Sequence, residues 1–358
     1  MAVHFHPLVI KDLEQETSDS LIITFDVPES VKHLFQFTHG QNLTLKTTHN
    51  GEEVRRSYSI CSAPFENKLS VAVKKVEQGI FSSYVHGHLQ KGDIMQVLPP
   101  TGRFFTQLDP THERRYLAFA AGSGITPVIS IIKTTLALEP NSAFTLVYGN
   151  RSRSSIMFFE ELEGLKNKYI QRFNFINILS REKTDAPINS GRMDTSKLSE
   201  LEKLIDYKSF DEIFICGPQE MLSCVKSFLA DHGISEKHIH FELFTTPGQA
   251  NNEVIAHAIE NNELLRSLIT VKLDGRSFSF DLAYNSESIL DAALKQGADL
   301  PYACKGGVCS SCRAKLTEGK VAMDANYALE QEEVAAGFIL TCQSHPLTQR
   351  VVVDFDLR

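Results

Sequence analysis

Along the first hundred residues, apolar and polar positions alternate in short runs set apart by turn residues, at 4–10, 20–25, 42–45, 56–60, 69–74 and 93–97. Six such runs predict short strands, and their spacing predicts a closed antiparallel β-barrel. Residues 79–85 predict the one helix of this region, its first amides open to an anion. After a polar connection over 106–113 the pattern changes. Residues 115–121 are apolar almost throughout, as in a buried parallel strand, and 128–138 fit a helix behind it. Strand and helix then alternate: 144–148 with 157–168, the strand 173–179, and 212–216 with 219–232. That alternation predicts a doubly wound α/β domain whose sheet ends near residue 241. Pro247-Gly248-Gln249 and Asn251-Asn252 begin a linker in which 253–265 predict a short helix. The last stretch returns to strands: 269–273 and 277–281 flank the turn Asp274-Gly275, and Ser286-Glu287-Ser288 opens a helix over 289–296 that Gly297 closes. The chain is therefore multidomain, with a barrel over 1–108, an α/β domain over 114–244, a linker over 245–267 and an α+β domain over 268–358.

A length of 358 residues suits two or three domains. The formal charge of −8, with no basic run, argues against a nucleic-acid partner. The N-terminus lacks a basic stretch followed by an apolar one, and every apolar run is broken well before 18 residues, so a soluble cytoplasmic protein with no membrane partner is expected. Seven cysteines in such a length do not form a disulfide framework. Cys61, Cys216 and Cys224 lie in apolar surroundings and are expected to be small core residues.

The other four carry chemistry. Cys304, Cys309 and Cys312 fall as C-x4-C-x2-C in one loop, and 29 residues separate Cys312 from Cys342. This is the plant-type [2Fe–2S] spacing, with four thiolates for two irons. Gly306 and Gly307 let the loop bend and turn N–H groups toward sulfur, and Ser310 and Ser311 add hydroxyl donors. A structural zinc site or buried free thiols are the alternatives, but zinc sites usually pair two C-x2-C hairpins. The stretch from 268 onward resembles the plant-type ferredoxin domain, which implies a β-grasp-like fold; Val308 stands where the ordinary ferredoxin loop has Ser.

In the barrel, Arg56-Ser57-Tyr58-Ser59 lies on a strand whose alternation puts Arg56 and Tyr58 on one face. A guanidinium and a phenol there suit an extended ligand with a phosphate and a ring; an exposed Arg beside a half-buried Tyr is the plain alternative. With Val73-Lys74 and Gly79-x-Phe81-Ser82-Ser83 following in order, the domain resembles the flavin domain of the ferredoxin–NADP⁺ reductase superfamily. The resemblance implies that Arg56 meets the FAD diphosphate, Tyr58 packs on the isoalloxazine, and Ser59 lies near the flavin's reactive nitrogen. The backbone at Val73 and Lys74 and the helix start at Ser82 and Ser83 would complete the site.

Between the first α/β strand and its helix stands Gly122-Ser123-Gly124-Ile125-Thr126-Pro127, where glycines admit a pyrophosphate and Pro127 suits a first helical turn. Cys216-Gly217-Pro218 ends a later strand at the same sheet edge. Either segment alone could be a bare strand–helix turn. In the superfamily the first loop accepts the nicotinamide nucleotide, with Thr126 near the reacting ring, and the second lies against the nicotinamide. Arg151, Ser152 and Arg153 offer donors for a 2′-phosphate, with no carboxylate adjacent in sequence, so NADPH is the expected donor; solvated surface arginines are the alternative. Phe244 matches by position the aromatic that covers the flavin until nicotinamide displaces it, and Glu242 the nearby acid, although Phe244 could be domain core. Glu330, Glu332 and Glu333 could face a basic partner or simply form a solvated helix.

A nicotinamide gives electrons in pairs and a [2Fe–2S] cluster takes them singly, a mismatch that a flavin resolves. The parts thus imply a path from NADPH through FAD and [2Fe–2S] to an oxygenase component bound transiently. Domain order and length resemble the reductases that feed the di-iron ring-1,2-phenylacetyl-CoA epoxidases of phenylacetate degradation. Reductases of other oxygenases, hydroxylases or desaturases share the parts, those of the phthalate-dioxygenase type with FMN and NADH. A redox-sensing module without a turnover partner stands as the reading from another class.

Overall fold

The computed structural model describes residues 4–49, 51–244, 266–284 and 286–357, the side chain of Glu52 excepted. The expected linker helix over 253–265 lies outside the described residues. Contacts divide the chain into two compact units, one of residues 5–54 and 58–244, the other of the C-terminal residues with His4 and Arg55–Ser57. Among the described residues no helix is long and apolar enough to cross a membrane.

The barrel strands are β1 (His6–Thr17), β2 (Ser20–Asp26), β3 (Asn42–His49), β4 (Glu52–Ser59), β5 (Leu69–Lys74) and β6 (Ile94–Val97). They hydrogen-bond in the order β4-β3-β6-β1-β2-β5. An isolated bridge from Ile60 to Val71, with Cys61 N donating to Ser70 O at 2.9 Å, closes the ring. Inward residues such as Leu8, Ile10, Ile23, Leu43, Leu45 and Val71 fill it, and the helix α1 (Ile80–His88) adds Phe81 and Val85 to that core. All six expected strands are present, but β1 runs seven residues beyond residue 10. Its polar extension does not alternate because it pairs only with β2, as a ribbon with a register shift between Ile10 and Asp12.

The α/β part carries β7 (Arg115–Ala121), α2 (Ile125–Leu138), β8 (Ala143–Asn150), α3 (Phe159–Lys168), β9 (Phe173–Leu179), α4 (Thr195–Leu201), β10 (Glu212–Gly217), α5 (Gln219–Asp231) and β11 (Ile239–Leu243). All pairings are parallel, in the order β11-β10-β7-β8-β9. The chain moves outward from β7 to β9, then returns to the other side of β7, so the topological switch falls between β7 and β10. Ligands bind at that point of such sheets. The sequence did not anticipate α4, and placed the sheet's end near 241 rather than at Leu243, because β11 shows only five residues of weak alternation.

One buried carboxylate ties the barrel's exit to this sheet. Glu139, just past α2, is wholly buried. It accepts from Asp109 N (3.0 Å), His112 Nδ1 (2.9 Å), Tyr116 OH (2.9 Å) and Ser142 Oγ (2.7 Å). Burial alone would raise its carboxyl, but these donors hold it below the usual carboxylate value.

The C-terminal unit has β12 (Arg266–Leu273), β13 (Arg276–Ala283), α6 (Ile289–Lys295), β14 (Arg313–Glu318), β15 (Val321–Met323), α7 (Gln331–Ala335), β16 (Phe338–Leu340), β17 (Ser344–Pro346) and β18 (Arg350–Asp354). Its main sheet runs β13-β12-β18-β14-β16, with β12 and β18 parallel and the other pairs antiparallel, and α6 adds Ile289, Leu290 and Ala293 to the core. Asp274 (φ 53°) and Gly275 (φ 68°) both take the left-handed conformation that a two-residue hairpin loop demands. Of the three acids that could face a basic partner or form a solvated helix, Glu333 is buried and paired with Arg313 at 3.0 Å, so its charge is spent internally.

Candidate functional site

At the switch point the turns after β7 and β10 nest together. A Cβ on Gly124 would stand 2.2 Å from Cys216 O and 2.6 Å from Cys216 C, so only glycine admits this approach. Gly122 takes φ +52°, and its carbonyl accepts from the buried Tyr148 OH at 2.8 Å. Ser123 completes the turn, and Thr126, buried in the first turn of α2, donates its hydroxyl back to Ser123 O at 3.0 Å. Pro127 is buried beside it. The amides that open α2 thus stand at the carboxyl edge of the sheet, as a nucleotide's phosphates require.

The end of β11 brings an acid to the same place. Cys216 and Glu242 are register partners, and Gly217 O accepts from Phe244 N at 3.1 Å. The half-buried Phe244 packs on the core between α2 and the sheet. Ser59, at the end of β4 and buried, donates to Glu242 Oε2 at 3.3 Å, joining barrel to sheet. Asn42 also hydrogen-bonds the Glu242 side chain. Burial pushes Glu242 up to about 7, against the pull of Ser59 and Asn42. Burial, and the Glu242 charge, push the Cys216 thiol well above its ordinary value. A carboxyl poised near neutrality beside an unionised thiol can hold or release a proton while donating no charge to the thiol. Nothing in the sequence flagged Asn42, which lies about two hundred residues from its partner and stands in an ordinary strand start.

On the barrel, Arg56, Ser57 and Tyr58 precede Ser59 along β4, and Tyr58 rests against Phe81 with ring centroids 5.6 Å apart. Phe81 is core, whereas Ser82 is occupied locally: its Oγ accepts from Val76 N at 3.1 Å and donates to Gly79 O at 3.3 Å. Ser83, exposed in the first turn of α1, remains open to solvent. Val73 is buried in β5 with its carbonyl taken by His86 Nε2 at 3.1 Å, and Lys74 pairs with Asp19 at 3.5 Å. The fit to a flavin is supported by the half-exposed Tyr58 ring and the exposed Ser83 side chain; the Gly79 and Ser83 amides are taken by Val76 O and Gly79 O, and the Ser82 hydroxyl and Val73 carbonyl serve the barrel itself.

The loop after β8 differs from its sequence in one respect. Arg151 and Arg153 are exposed and Ser152 half-buried, as donors to a phosphate need. However, Glu182 accepts from Arg153 N at 2.7 Å. The parallel neighbours β8 and β9 end side by side, with Arg181 N bonded to Arg151 O at 2.8 Å, and so bring a carboxylate that is remote in sequence.

In the C-terminal unit the four thiols meet. Cys309 Sγ lies 3.1 Å from Cys304 Sγ, and Cys342 contacts both Cys312 and Cys304. Among the described residues no three His, Cys, Asp or Glu side chains converge as on a single ion; the thiols instead form a run of contacts, Cys309 to Cys304 to Cys342 to Cys312. Gly306 N donates to Cys304 Sγ at 3.4 Å, Gly307 N reaches Cys342, and Ser311 Oγ is 3.5 Å from Cys309 Sγ. Gly307, at φ +72°, leaves no room for a Cβ, which would stand 2.8 Å from Ala325 O. The Cys304 contact and burial hold the Cys309 thiol far above its ordinary value. Four thiols in mutual contact, with amide and hydroxyl donors turned toward their sulfurs, are a donor set that fits a cluster. Of the remaining cysteines Cys61 and Cys216 are buried, as expected, while Cys224 is half-buried.

Residues 7–106 match the oxidoreductase FAD-binding domain, 119–227 the oxidoreductase NAD-binding domain, and 271–347 the 2Fe-2S iron-sulfur cluster binding domain. The chain is 47% identical to a component of the 1,2-phenylacetyl-CoA epoxidase of Escherichia coli over 99% of this chain and 98% of the relative. It is 32% identical to the ferredoxin reductase component of 3-ketosteroid-9-alpha-monooxygenase from Rhodococcus rhodochrous, over 97% and 96% of the two chains. The solved structure of phthalate dioxygenase reductase shares the fold at 24% identity, with a TM-score of 0.60 and 98% of both chains covered.

Proposed function

Because this chain belongs to the family of FAD-, NAD- and [2Fe–2S]-binding reductase components of oxygenases, we propose that it draws electrons from NADPH and delivers them to a di-iron oxygenase acting on phenylacetyl-CoA. The end-to-end similarity to the Escherichia coli epoxidase component carries the choice of partner. FAD, when bound, accepts electrons in pairs and releases them singly, as a nicotinamide donor and an iron–sulfur acceptor together require. The residues hold and orient. Arg56 neutralises the FAD diphosphate with help from the exposed Ser83 hydroxyl at the start of α1, Tyr58 lies on the isoalloxazine, and Ser59 with Thr126, Cys216 and Glu242 borders the nicotinamide. Phe244 covers the flavin until the nicotinamide takes its place. Cys304, Cys309, Cys312 and Cys342 hold the cluster. All seven cysteines are free thiols, which suits a reducing cytoplasm, and the oxygenase is engaged transiently.

Mixing the holoprotein with purified phenylacetyl-CoA epoxidase tests the partner. NADPH oxidation should rise with phenylacetyl-CoA and with epoxidase concentration; no stimulation, with reduction of a small one-electron acceptor intact, would remove this partner and keep the reductase.

Coenzyme choice rests on the loop after β8. Arg151 and Arg153 pair with the 2′-phosphate, each contact to a charged group being worth about 1.5–3 kcal/mol. Replacing both by Ala should raise KM for NADPH by about 100-fold or more and leave KM for NADH within about twofold. Glu182 supports the competing NADH reading, since a carboxylate suits a free ribose hydroxyl. Equal changes for the two coenzymes would show that Arg151 and Arg153 do not read the 2′-phosphate.

A further inference from the structure

Asn42 is buried at the start of β3 and is clamped on three sides. Its backbone pairs with Thr101 in both directions, Asn42 N to Thr101 O at 2.7 Å and Thr101 N to Asn42 O at 2.9 Å. Thr101 Oγ1 donates to Asn42 Oδ1 at 3.4 Å, which marks that end of the amide as the acceptor. On the other side Gly102, at φ +114°, makes room for the amide nitrogen, because a Cβ there would stand 2.9 Å from Asn42 Nδ2. The nitrogen end is thereby left to donate, and Glu242 is what it meets. An amide N–H only donates, whereas the Ser59 hydroxyl both donates and accepts. Ser59 can therefore accept from the protonated carboxyl as well as donate to it, whereas Asn42 can only donate, which it does more strongly to the carboxylate.

We propose that Asn42 is a positioning residue for the nicotinamide reaction: held by Thr101 and Gly102, it fixes the Glu242 carboxyl beside Ser59 and Cys216 and sets the pH at which that carboxyl releases its proton. This rests on the reading that Glu242 borders the nicotinamide. The groups facing Glu242 give Asn42 unusual weight. Among the described residues, the titratable group facing it from β10 is Cys216, an unionised thiol, and those that hydrogen-bond it from the barrel are the uncharged Asn42 and Ser59. With burial opposing the charge, two neutral hydrogen bonds determine where the carboxyl titrates.

The test follows flavin reduction by NADPH in the holoprotein from about pH 5 to about pH 9. The wild type should show an inflection near 7, the value about which Glu242 titrates. Asn42→Ala should move that inflection upward by about one pH unit, since a donor to the charged form is lost. Asn42→Ser, which restores a hydroxyl donor, should move it part of the way back, and Glu242→Gln should abolish it. An unmoved inflection in Asn42→Ala, with none in Glu242→Gln, overturns the role of Asn42. An inflection that survives in Glu242→Gln overturns the placement of Glu242 by the nicotinamide instead.

Thermal unfolding against pH reads the same contact without any nicotinamide. Glu242 binds its proton more tightly folded than unfolded, so its contribution is full below the ordinary carboxylate value of 4.5 and is lost as pH rises through about 7. Asn42→Ala should extend that loss to higher pH, and Glu242→Gln should remove it. A pH dependence in Asn42→Ala identical to the wild type overturns the proposal by this route as well.

Discussion

Replacing Cys309 by Ser is expected to strip the iron–sulfur absorption from the protein while NADPH still bleaches the flavin. Cys309 contacts Cys304 at 3.1 Å and Ser311 at 3.5 Å, within the four-thiol group. A hydroxyl is a harder ligand than a thiolate and stays protonated near neutrality, so one iron would lose a bond that no neighbour replaces. Changes to groups that merely orient ligands cost about 10–100-fold in metal affinity, and loss of a ligand should exceed that. Iron and sulfide content, visible absorption and the rate of one-electron acceptor reduction measure the effect. Undiminished cluster absorption would sink the ligand assignment. The flavin half-reaction should persist, because Arg56, Tyr58, Ser59 and the two nucleotide turns lie in other parts of the chain.

Gly124→Ala should be the most damaging single methyl at the nucleotide site. It would meet Cys216 O at 2.2 Å, Cys216 C at 2.6 Å and Gly217 N at 3.0 Å, all backbone atoms that cannot rotate aside. The turns after β7 and β10 must then part, at a cost of about 1–3 kcal/mol for forced overpacking. Since Thr126 and Cys216 ride on those turns, KM for NADPH should rise by about tenfold or more, with flavin content and cluster spectrum retained. Kinetics like the wild type would show that the turns do not have to touch for the coenzyme to bind.

The difference between what was and was not legible in the sequence follows the range of the interactions. The barrel strands, the α/β alternation and the cysteine spacing are local patterns, and each survives into the structure because burial of alternate or continuous apolar positions dictates it. The Asp274-Gly275 turn was legible for the same reason: both residues take the left-handed conformation that their types permit. Asn42 was not legible, because its significance comes from Thr101, Gly102 and Glu242, which only the folded chain brings together. Glu182 escaped likewise. The loop 151–153 carries no acid in sequence, but parallel pairing of β8 and β9 delivers one. Nothing local marks Glu139, because its four donors come from three separate stretches. Ser82 was legible as a phosphate donor by resemblance, but its hydroxyl closes the turn ahead of α1.

The position of Glu242 has a consequence for how the protein is made. It lies on β11, the last strand of its sheet in sequence and one of the two edges. A growing chain emerges from the ribosome N-terminus first, so β7, β8, β9 and β10 are available for pairing before residue 239 appears. The glycine turns, the Thr126 hydroxyl and the Cys216 thiol can therefore be assembled in a nascent chain that still has no acid beside them. The carboxyl arrives last, on a strand of five residues, and takes its place beside Ser59 and Cys216 as that strand docks. A chain interrupted at Gly217 would carry the nucleotide turns and not the proton-holding group, and synthesis order thus keeps the reactive constellation incomplete until the whole sheet exists.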